Sequence, residues 1–284
     1  MRDITQDFED KPGDHEFTQD FPDDVDESQI IWEPEFFYRG DCLKQLKKVP
    51  DRSVRAVICD PPYGTTLAKW DKLIDFAKLW TELNRVILPD GVIIMFAVQP
   101  FTTSLIASNR RWFKYPWIWL KTNKTGFLNV STQPLRMYEE ILVFYRRLGV
   151  FNPQMIPLDR PRWQRNAGVG SKLYKRIGSR PSVVKPERKL VTHGHPVNIL
   201  ACGHDPVRFH PTQKPVALLR YLIRTFSDPG DMILDPTMGS GSCAVAAVRE
   251  DRCFTGIERS PKYFQIATER YQNDLEVMLH ESGM

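Results

Sequence analysis

The alternation of apolar and polar positions from Phe36 onward predicts an α/β protein. Apolar runs rich in β-branched and aromatic residues predict strands at 36–40, 54–60, 91–98, 117–121, 140–147, 231–235 and 253–258. Apolar positions at helical spacing predict helices at 42–49, 71–88, 101–110 and 215–226, and others from about 242 and 260. Strands that alternate with helices indicate a mainly parallel sheet covered on both faces.

This alternation of strand and helix patterns stops between residues 149 and 195. The stretch contains five prolines, and residues 155–190 carry ten basic side chains against Asp159 and Glu187. Trp163 and Tyr174 lie among them. A long insert of this kind is usually functional or disordered. We interpret it as a candidate surface for a polyanion, with a solvated flexible loop as the alternative.

Charge is distributed unevenly along the chain. Residues 1–35 hold 13 acidic side chains and only two basic ones, so their net charge is −11, and the remaining 249 residues carry +15. A folded body at +15 favours nucleic acid as a partner, although a generally basic surface without a partner remains an alternative. Residues 1–30 show no period and are predicted to be a disordered tail or a surface-wrapping arm.

Several classes of protein are disfavoured by the composition. No apolar run approaches the 18 residues of a membrane-spanning helix, and the N-terminus lacks the apolar core of a signal peptide. The five cysteines form no CxxC pair, which argues against a disulfide framework or a zinc ribbon and fits a reducing cytoplasm.

A glycine-rich motif, DPTMGSGS at 235–242, follows one predicted strand and opens a helix. Its glycines allow a tight turn and close approach to a ligand, and Glu258, at the end of the next strand, can accept both hydroxyls of a ribose. Gly239, Gly241 and Ala244 also satisfy the loose dinucleotide pattern, and a purely structural turn is the alternative. Only 49 residues follow Asp235, so the rest of the sheet must come from upstream, unlike in an ordinary nicotinamide-binding domain.

A second motif, DPPYG at 60–64, ends the strand predicted at 54–60. Ligands of doubly wound sheets bind at that edge. Pro61 and Pro62 lack amide hydrogens, so the carbonyls of the turn remain able to accept hydrogen bonds. A carboxylate, a carbonyl and the ring of Tyr63 would suit an exocyclic amino group on a planar base. The alternative is a strand-ending turn with a packing tyrosine.

Together with HPTQKPVALL at 210–219, these motifs resemble those of the S-adenosylmethionine-dependent amino-group DNA methyltransferases. Their order is similar to that of the circularly permuted β group, and the resemblance covers residues 36–275. It implies a Rossmann-like methyltransferase fold, a doubly wound, mostly parallel seven-stranded sheet with a basic insert. The implied organisation is a catalytic half at 31–148, a DNA-recognition insert at 149–195 and a cofactor-binding half at 196–284.

The resemblance also implies site residues. The catalytic residues would be Asp60, Pro61, Pro62 and Tyr63. The residues that bind S-adenosylmethionine would be Asp41, near its adenine, Thr212 and Lys214, at its methionine end, Glu258, on its ribose, together with Asp60, Asp235, Pro236, Gly239 and Gly241. One departure is Thr237, where the family usually has Phe, so a ring contact with the cofactor is in doubt.

The implied reaction moves a methyl group to the exocyclic amine of a base flipped out of the duplex. An Asp at the start of the tetrapeptide favours adenine N6, whereas Ser is commoner for cytosine N4. Methylation at cytosine C5 is disfavoured, because it needs a cysteine that in that family follows a proline, and none here does. A catalytically idle DNA-binding or regulatory protein of this fold stays open as a second interpretation, and a nicotinamide oxidoreductase is a more distant third.

The expected partner is double-stranded DNA, with no membrane, in the cytoplasm and at the nucleoid through DNA. A restriction–modification or phage-type role and a homodimer are both open. The residues expected to contact DNA are Arg160, Arg162, Arg165, Lys172, Lys175 and Arg176. His193, His195, Cys202, His204 and His210 are zinc-ligand types, but their spacing matches no standard finger, and we expect no metal site.

Overall fold

The computed structural model describes residues 3–8, 36–66, 68, 71–165 and 188–281. The chain forms two compact units. The larger unit combines the chain up to Asn152 with the chain from Asn198 onward, and the smaller is Pro153–Val197. No helix among the described residues is long and apolar enough to cross a membrane.

The described residues form ten strands and six α-helices. The strands are β1 (Phe37–Arg39), β2 (Val54–Cys59), β3 (Ile87–Ala97), β4 (Phe113–Thr125), β5 (Arg136–Phe144), β6 (Ile156–Arg165), β7 (Arg188–Gly194), β8 (Ile199–Ala201), β9 (Met232–Asp235) and β10 (Cys253–Glu258). The helices are α1 (Cys42–Gln45), α2 (Phe76–Val86), α3 (Phe101–Ser108), α4 (Val216–Phe226), α5 (Ser242–Val248) and α6 (Pro261–Glu281).

The sheet of the larger unit has the strand order β1-β10-β9-β2-β3-β5-β4-β8. Only β5 runs antiparallel to its neighbours, so the predicted α/β fold with a mostly parallel sheet is confirmed. The predicted count of seven strands was wrong for the described residues, because β8 adds an eighth. It has three residues and is held by parallel pairing with β4, too short a segment to show a period.

Apolar layers cover both faces of the sheet. Along β3, Ile94 and Phe96 point into one buried cluster, whereas Ile93 and Met95 point into the other. This alternation follows from the two-residue period of a strand. One layer contains α4, α5 and α6 and the other contains α2 and α3, as expected for a doubly wound sheet.

The helix predicted at 71–88 is shorter than expected, since α2 begins at Phe76. Asp75 caps its first turn by accepting a hydrogen bond from the Lys78 amide at 3.2 Å. The segment Pro89-Asp90-Gly91 does not separate α2 from the next strand, because β3 already begins at Ile87 and its pairing with β2 is irregular there. These three residues, which predicted a turn, therefore lie within β3.

The described start of the acidic arm lies against the edge of the sheet. Ile4–Phe8 form a short 3₁₀ helix, Ile4 is buried, and Asp3 forms a β-bridge with Ala201 of β8. The Gly203 amide donates to Thr5 Oγ1 at 3.1 Å. Residues 3–8 therefore contact the sheet edge at β8, whereas 9–35 lie outside the described residues.

In the smaller unit, β6 and β7 pair antiparallel. These strands were not predicted, because prolines interrupt the strand pattern of β6. The pairing with β7 is irregular there and shifts between Pro157 and Arg162. Arg160 and Arg162 are exposed. Arg165 ends β6, whereas Lys172, Lys175 and Arg176 lie outside the described residues.

Candidate active site

The sequence-predicted site residues meet in one cavity of about 720 Å³ in the larger unit. It lies where β2, β9 and β10 end, since parallel strands bring their carboxyl ends to one edge. The predicted residues that line it are Asp41, Asp60, Pro61, Pro62, Tyr63, Thr212, Lys214, Asp235, Pro236, Gly239 and Glu258. Gly241 is not among the lining residues.

Asp60 stands at one end of this cavity, directly after β2. Its Oδ1 accepts a hydrogen bond from the Tyr63 hydroxyl at 2.6 Å, and its Oδ2 contacts the ammonium of Lys214. The Tyr63 ring packs against Phe101, with centroids 5.0 Å apart. Both carboxylate oxygens are therefore already held by donors.

Lys214 is shared between two carboxylates. Besides Asp60, its ammonium lies 3.4 Å from Glu139 Oε2, and the other oxygen of Glu139 pairs with Lys121. The ammonium of Lys214 also lies 5.1 Å from the ring centroid of Phe96. The side chain predicted for the methionine end of a cofactor thus reaches the carboxylate of Asp60.

These buried charges shift one another's pKa values. Burial alone would raise the pKa of Glu139, but Lys214 and then Lys121 lower it below its ordinary value. Burial would lower the pKa of Lys214, but Asp60 and Glu139 raise it, so the ammonium stays charged. Burial raises the pKa of Asp60, and Lys214 only partly offsets this.

Glu139 and Lys121 were missed by sequence reasoning. Each looks like an ordinary polar position in a strand, and they lie 18 residues apart. They meet because β4 and β5 pair antiparallel with Trp119 opposite Glu139. No local sequence motif indicates which residues of β4 and β5 lie opposite one another.

Thr237, the departure from the family pattern, supports the backbone of Asp60. Its hydroxyl donates to the Asp60 carbonyl oxygen at 3.1 Å and lies 3.3 Å from Cys59 Sγ. A phenyl ring could make neither contact. The small polar side chain thus connects the glycine-rich loop to the end of β2.

Glu258 holds the glycine-rich loop at the other end of the cavity. Its two oxygens accept hydrogen bonds from the amides of Gly239, at 3.0 Å, and Ser260, at 2.7 Å. Burial raises the pKa of Glu258 above its ordinary value. The carboxylate is therefore oriented by backbone donors, with oxygen lone pairs left for a ligand.

Gly241 acts through packing rather than as a lining residue. Its φ is +80°, and a Cβ added there would lie 2.8 Å from the backbone Cα of Ala267 in α6. Only glycine fits both the left-handed conformation and this approach. Arg270, also in α6, donates to the Ser240 carbonyl at 2.6 Å, so α6 holds the loop from behind.

Asp235 ends β9 below the same loop. Its Oδ1 accepts a hydrogen bond from the Thr237 amide at 2.9 Å. Burial raises the pKa of Asp235 to about 8, and the negative charges of Asp60 and Glu258 act in the same direction. This carboxyl group is thus largely protonated at neutral pH in the free protein.

The segment that carries Thr212 is tied to the loop through Gln213. Gln213 Nε2 donates to Asp205 at 2.9 Å, and its Oε1 accepts from the Ser240 hydroxyl at 3.2 Å. Asp205 in turn accepts from the Val216 amide at the start of α4. Gln213 therefore positions this segment. It lies within the motif at 210–219, of which only Thr212 and Lys214 were predicted as site residues.

Asp71 organises the loop after Tyr63. Its carboxylate accepts hydrogen bonds from the amides of Gly64 (2.7 Å), Thr65 (2.9 Å) and Thr66 (2.7 Å). Burial alone would raise the pKa of Asp71, but these hydrogen bonds lower it. The sequence pattern placed Asp71 in a helix, where this role was not visible.

Two of the residues of zinc-ligand type, His204 and His210, pack against aromatic rings. His204 lies against Trp119, with ring centroids 5.3 Å apart, and His210 against Tyr263, at 4.2 Å. Burial, followed by the charge of Lys214, lowers the pKa of His210 to about 4. Within the described part of the chain, no group of three or more His, Cys, Asp or Glu residues is arranged to hold a metal ion.

A family model described as DNA methylase, for the N6/N4 methyltransferases, matches residues 54–269. The type II methyltransferase M.HpaI of Haemophilus parainfluenzae is 28% identical over 252 residues, covering 83% of this chain and 73% of the relative. The crystal structure of the M1.HpyAVI–SAM complex has a TM-score of 0.54 and 24% identity, over 82% of this chain and 98% of that one. The PvuII DNA methyltransferase, which is cytosine-N4-specific, has a TM-score of 0.56 and 16% identity, over 86% and 92%.

Proposed function

We propose that this chain, which belongs to the N6/N4 DNA methylase family, methylates N6 of adenine in double-stranded DNA. Membership makes the protein an S-adenosylmethionine-dependent DNA amino-methyltransferase. The choice of adenine rests on Asp60 as the first residue of the tetrapeptide. The PvuII enzyme, which acts at cytosine N4, shares the fold, so likeness of fold does not choose between the bases.

The cavity fits the cofactor that this reaction requires. Its volume of about 720 Å³ falls within the range of about 300–1,000 Å³ that is common for ligand sites. Glu258 ends β10 and Asp41 follows β1, and these strands are parallel neighbours. Glu258 would accept the ribose hydroxyls, Asp41 would face the adenine, and Gly239 would let the ligand approach the backbone. Bound there, S-adenosylmethionine supplies an electrophilic methyl group on a sulfonium.

Asp60 and the Pro61 carbonyl would accept hydrogen bonds from the amine of the flipped base. These bonds favour a pyramidal nitrogen, whose lone pair is then localised for attack. The methyl group would then pass in line from the sulfonium to this nitrogen, with the N–C bond forming as the C–S bond breaks and the C–S electron pair left on sulfur. The proton released by the nitrogen passes to Asp60, whose pKa is raised by burial. Tyr63, fixed through its hydroxyl, would stack on the base.

Lys214 would exchange partners during base binding. In the structure its ammonium occupies Asp60 Oδ2, where an amine hydrogen of the base must bind. Glu139 Oε2 lies 3.4 Å from the same ammonium and can accept it. Lys214, whose charge lowers the pKa of Asp60, and Glu139, which can take over the ammonium, are therefore positioning residues that would release Asp60 Oδ2 to the base.

The replacement Asp60→Ala tests the assignment. We expect methyl transfer to fall by at least about 10³-fold, because the acceptor of the amine is lost. S-adenosylmethionine should still bind, as measured by calorimetry, since the glycine loop and Glu258 are untouched. Mass spectrometry of DNA treated with the unaltered protein should show N6-methyladenine. Near-normal turnover by the variant would refute the role of Asp60, and N4-methylcytosine would refute the choice of base.

The basic insert is proposed to contact DNA phosphates. Arg160 and Arg162 are exposed on β6, and Arg165, Lys172, Lys175 and Arg176 extend the same basic sequence. Such contacts make binding salt-dependent. Replacing Arg160 and Arg162 with Gln should weaken DNA binding and reduce the slope of log affinity against log salt by about one per residue. An unchanged slope in a salt titration would contradict the proposal. With DNA as its substrate, the protein acts in the cytoplasm, at the nucleoid.

A further inference from the structure

Three large apolar side chains stand in solvent at the tip of the hairpin that joins β4 to β5. Phe127, Leu128 and Val130, here called the apolar tip, are 64%, 98% and 57% exposed. Isolated apolar residues on a surface need no explanation, but a cluster of this kind commonly marks an interaction site.

The tip is a built turn. Gly126 adopts φ +91°, and its carbonyl accepts from the Asn129 amide at 3.1 Å. The Asn129 carbonyl then accepts from the amides of Thr132 and Gln133, both at 3.0 Å. The loop therefore presents its apolar side chains through its own hydrogen bonds, without burying them.

The hairpin projects from the mouth of the active-site cavity. Thr125 and Arg136, which pair at its neck, both line the cavity. Leu120 is the last residue of β4 that pairs with β8, and Glu140 is the first residue of β5 that pairs with β3. The residues between them therefore extend beyond both neighbouring strands. Phe127 lies six residues after Lys121, so the tip is within about 20 Å of extended chain from the buried ion pairs.

The charge of the hairpin suits a nucleic acid. Residues 121–138 contain Lys121, Lys124 and Arg136 and no acidic residue, and both Lys124 and Arg136 are exposed. Cations on both sides of an apolar point can hold two phosphates while the point meets stacked bases.

We propose that the apolar tip inserts into the DNA duplex beside the target base and fills the space that the base leaves. The inference rests on the proposed function only in requiring that the target base leaves the stack. Extruding a base costs a few kcal/mol in lost stacking and pairing, and apolar side chains inserted between bases offset such a cost. Leu128 is the leading side chain, because it is the most exposed.

The test compares two oligonucleotide duplexes that carry a mapped methylation site. In one the target base is fully paired, and in the other it lies opposite an abasic residue and needs little help to leave. For the variant Phe127→Ser with Leu128→Ser, we expect kcat/KM to fall at least about tenfold on the paired duplex and less than about threefold on the other. The control is Val277→Ser with Leu279→Ser on α6, residues that are 42% and 43% exposed, for which both values should stay unchanged.

Equal losses on the two duplexes, or no loss on either, would overturn the proposal. A change from dimer to monomer on substitution of the tip, measured by light scattering, would also overturn it, because the tip would then bind a second copy of the chain. Failure of the proposed function has a different signature, since the unaltered protein would then produce no N6-methyladenine on either duplex.

Discussion

The two ends of the proposed active-site cavity, here called the catalytic end (at Asp60) and the cofactor end (at Glu258), both contain buried carboxyl groups, but the protein neutralises them differently. At the catalytic end, Asp60 and Glu139 alternate with the ammonium groups of Lys214 and Lys121. At the cofactor end, Asp235 and Glu258 accept hydrogen bonds from the backbone amides of the glycine-rich loop and its neighbours.

The pKa values show the consequence. The lysines hold the pKa of Glu139 below its ordinary range despite burial, whereas burial raises the pKa of Asp235 to about 8 and also raises that of Glu258. The few amide hydrogen bonds of Asp235 and Glu258 do not offset their burial, whereas two ammonium groups offset the burial of Glu139. At the catalytic end the lysines therefore hold Glu139 as a carboxylate, whereas at the cofactor end burial favours the neutral forms of Asp235 and Glu258.

Removing one charge from the catalytic end should have the largest effect. Glu139→Gln leaves two buried ammonium groups with Asp60 alone, so we expect the free energy of unfolding to fall by about 3–5 kcal/mol, measured by urea denaturation. The control is Glu140→Gln, whose amide can still accept from Thr102. Adding Lys121→Met to Glu139→Gln should recover much of the loss. A stable single variant would show that the catalytic end does not depend on this balance.

The cofactor end should reveal itself through pH. The pKa of Asp235 is about 8 in the folded protein and about 4 in an unfolded chain. Between these values the unfolded chain releases the proton and the folded protein retains it, so stability falls as pH rises. From pH 5 to pH 7 we expect a decrease of about 2–3 kcal/mol from this group. Asp235→Asn should flatten the dependence, measured as urea midpoints. A steeper profile in the variant would reverse the assigned sign.

Glu258→Gln should separate cofactor binding from chemistry. Loss of the carboxylate should weaken S-adenosylmethionine binding about tenfold while kcat at saturation stays within about threefold. Asp60→Ala is expected to do the opposite, lowering kcat while the affinity for S-adenosylmethionine is retained. The measurements are calorimetric affinity and steady-state kinetics at saturating DNA. If both variants change the same parameter, the two ends do not act separately.

Thr237 joins the two ends, and its replacement should have the smallest effect. Thr237→Val keeps the shape but removes the hydrogen bond to the Asp60 carbonyl, and we expect kcat to fall about fivefold, near 1 kcal/mol. Thr237→Ser, which retains the hydroxyl, serves as the control and should behave like the unaltered protein. An equal loss in both variants would assign the effect to packing of the methyl group.

Features set by neighbouring residues were predictable from the sequence. The strand at 253–258 matches β10 residue for residue, because its apolar run ends in a polar position and a turn. The order of the motifs predicted the family, which the family match confirms. The site residues at strand ends lie in one cavity because parallel strands share an edge.

Features that depend on distant partners were not predictable. Asp71 lay in a predicted helix but accepts three backbone amides, since the carboxylate outcompetes a helical turn for them. The three-residue strand β8 exists because β4 offers it a parallel edge. A pattern of local periods contains neither the partner nor the register.

The sequence by itself determined the α/β class, the motif order and the turns that place Asp60 and Glu258 at the ends of strands. These follow from local conformational preferences and from the two-residue period of a strand. Only the tertiary structure decided which charges meet, as when β5 runs antiparallel between β3 and β4 and brings Glu139 to Lys121 and Lys214. Desolvation and Coulomb energies depend on burial and separation in space, and residues 18 or 75 positions apart along the chain do not specify either.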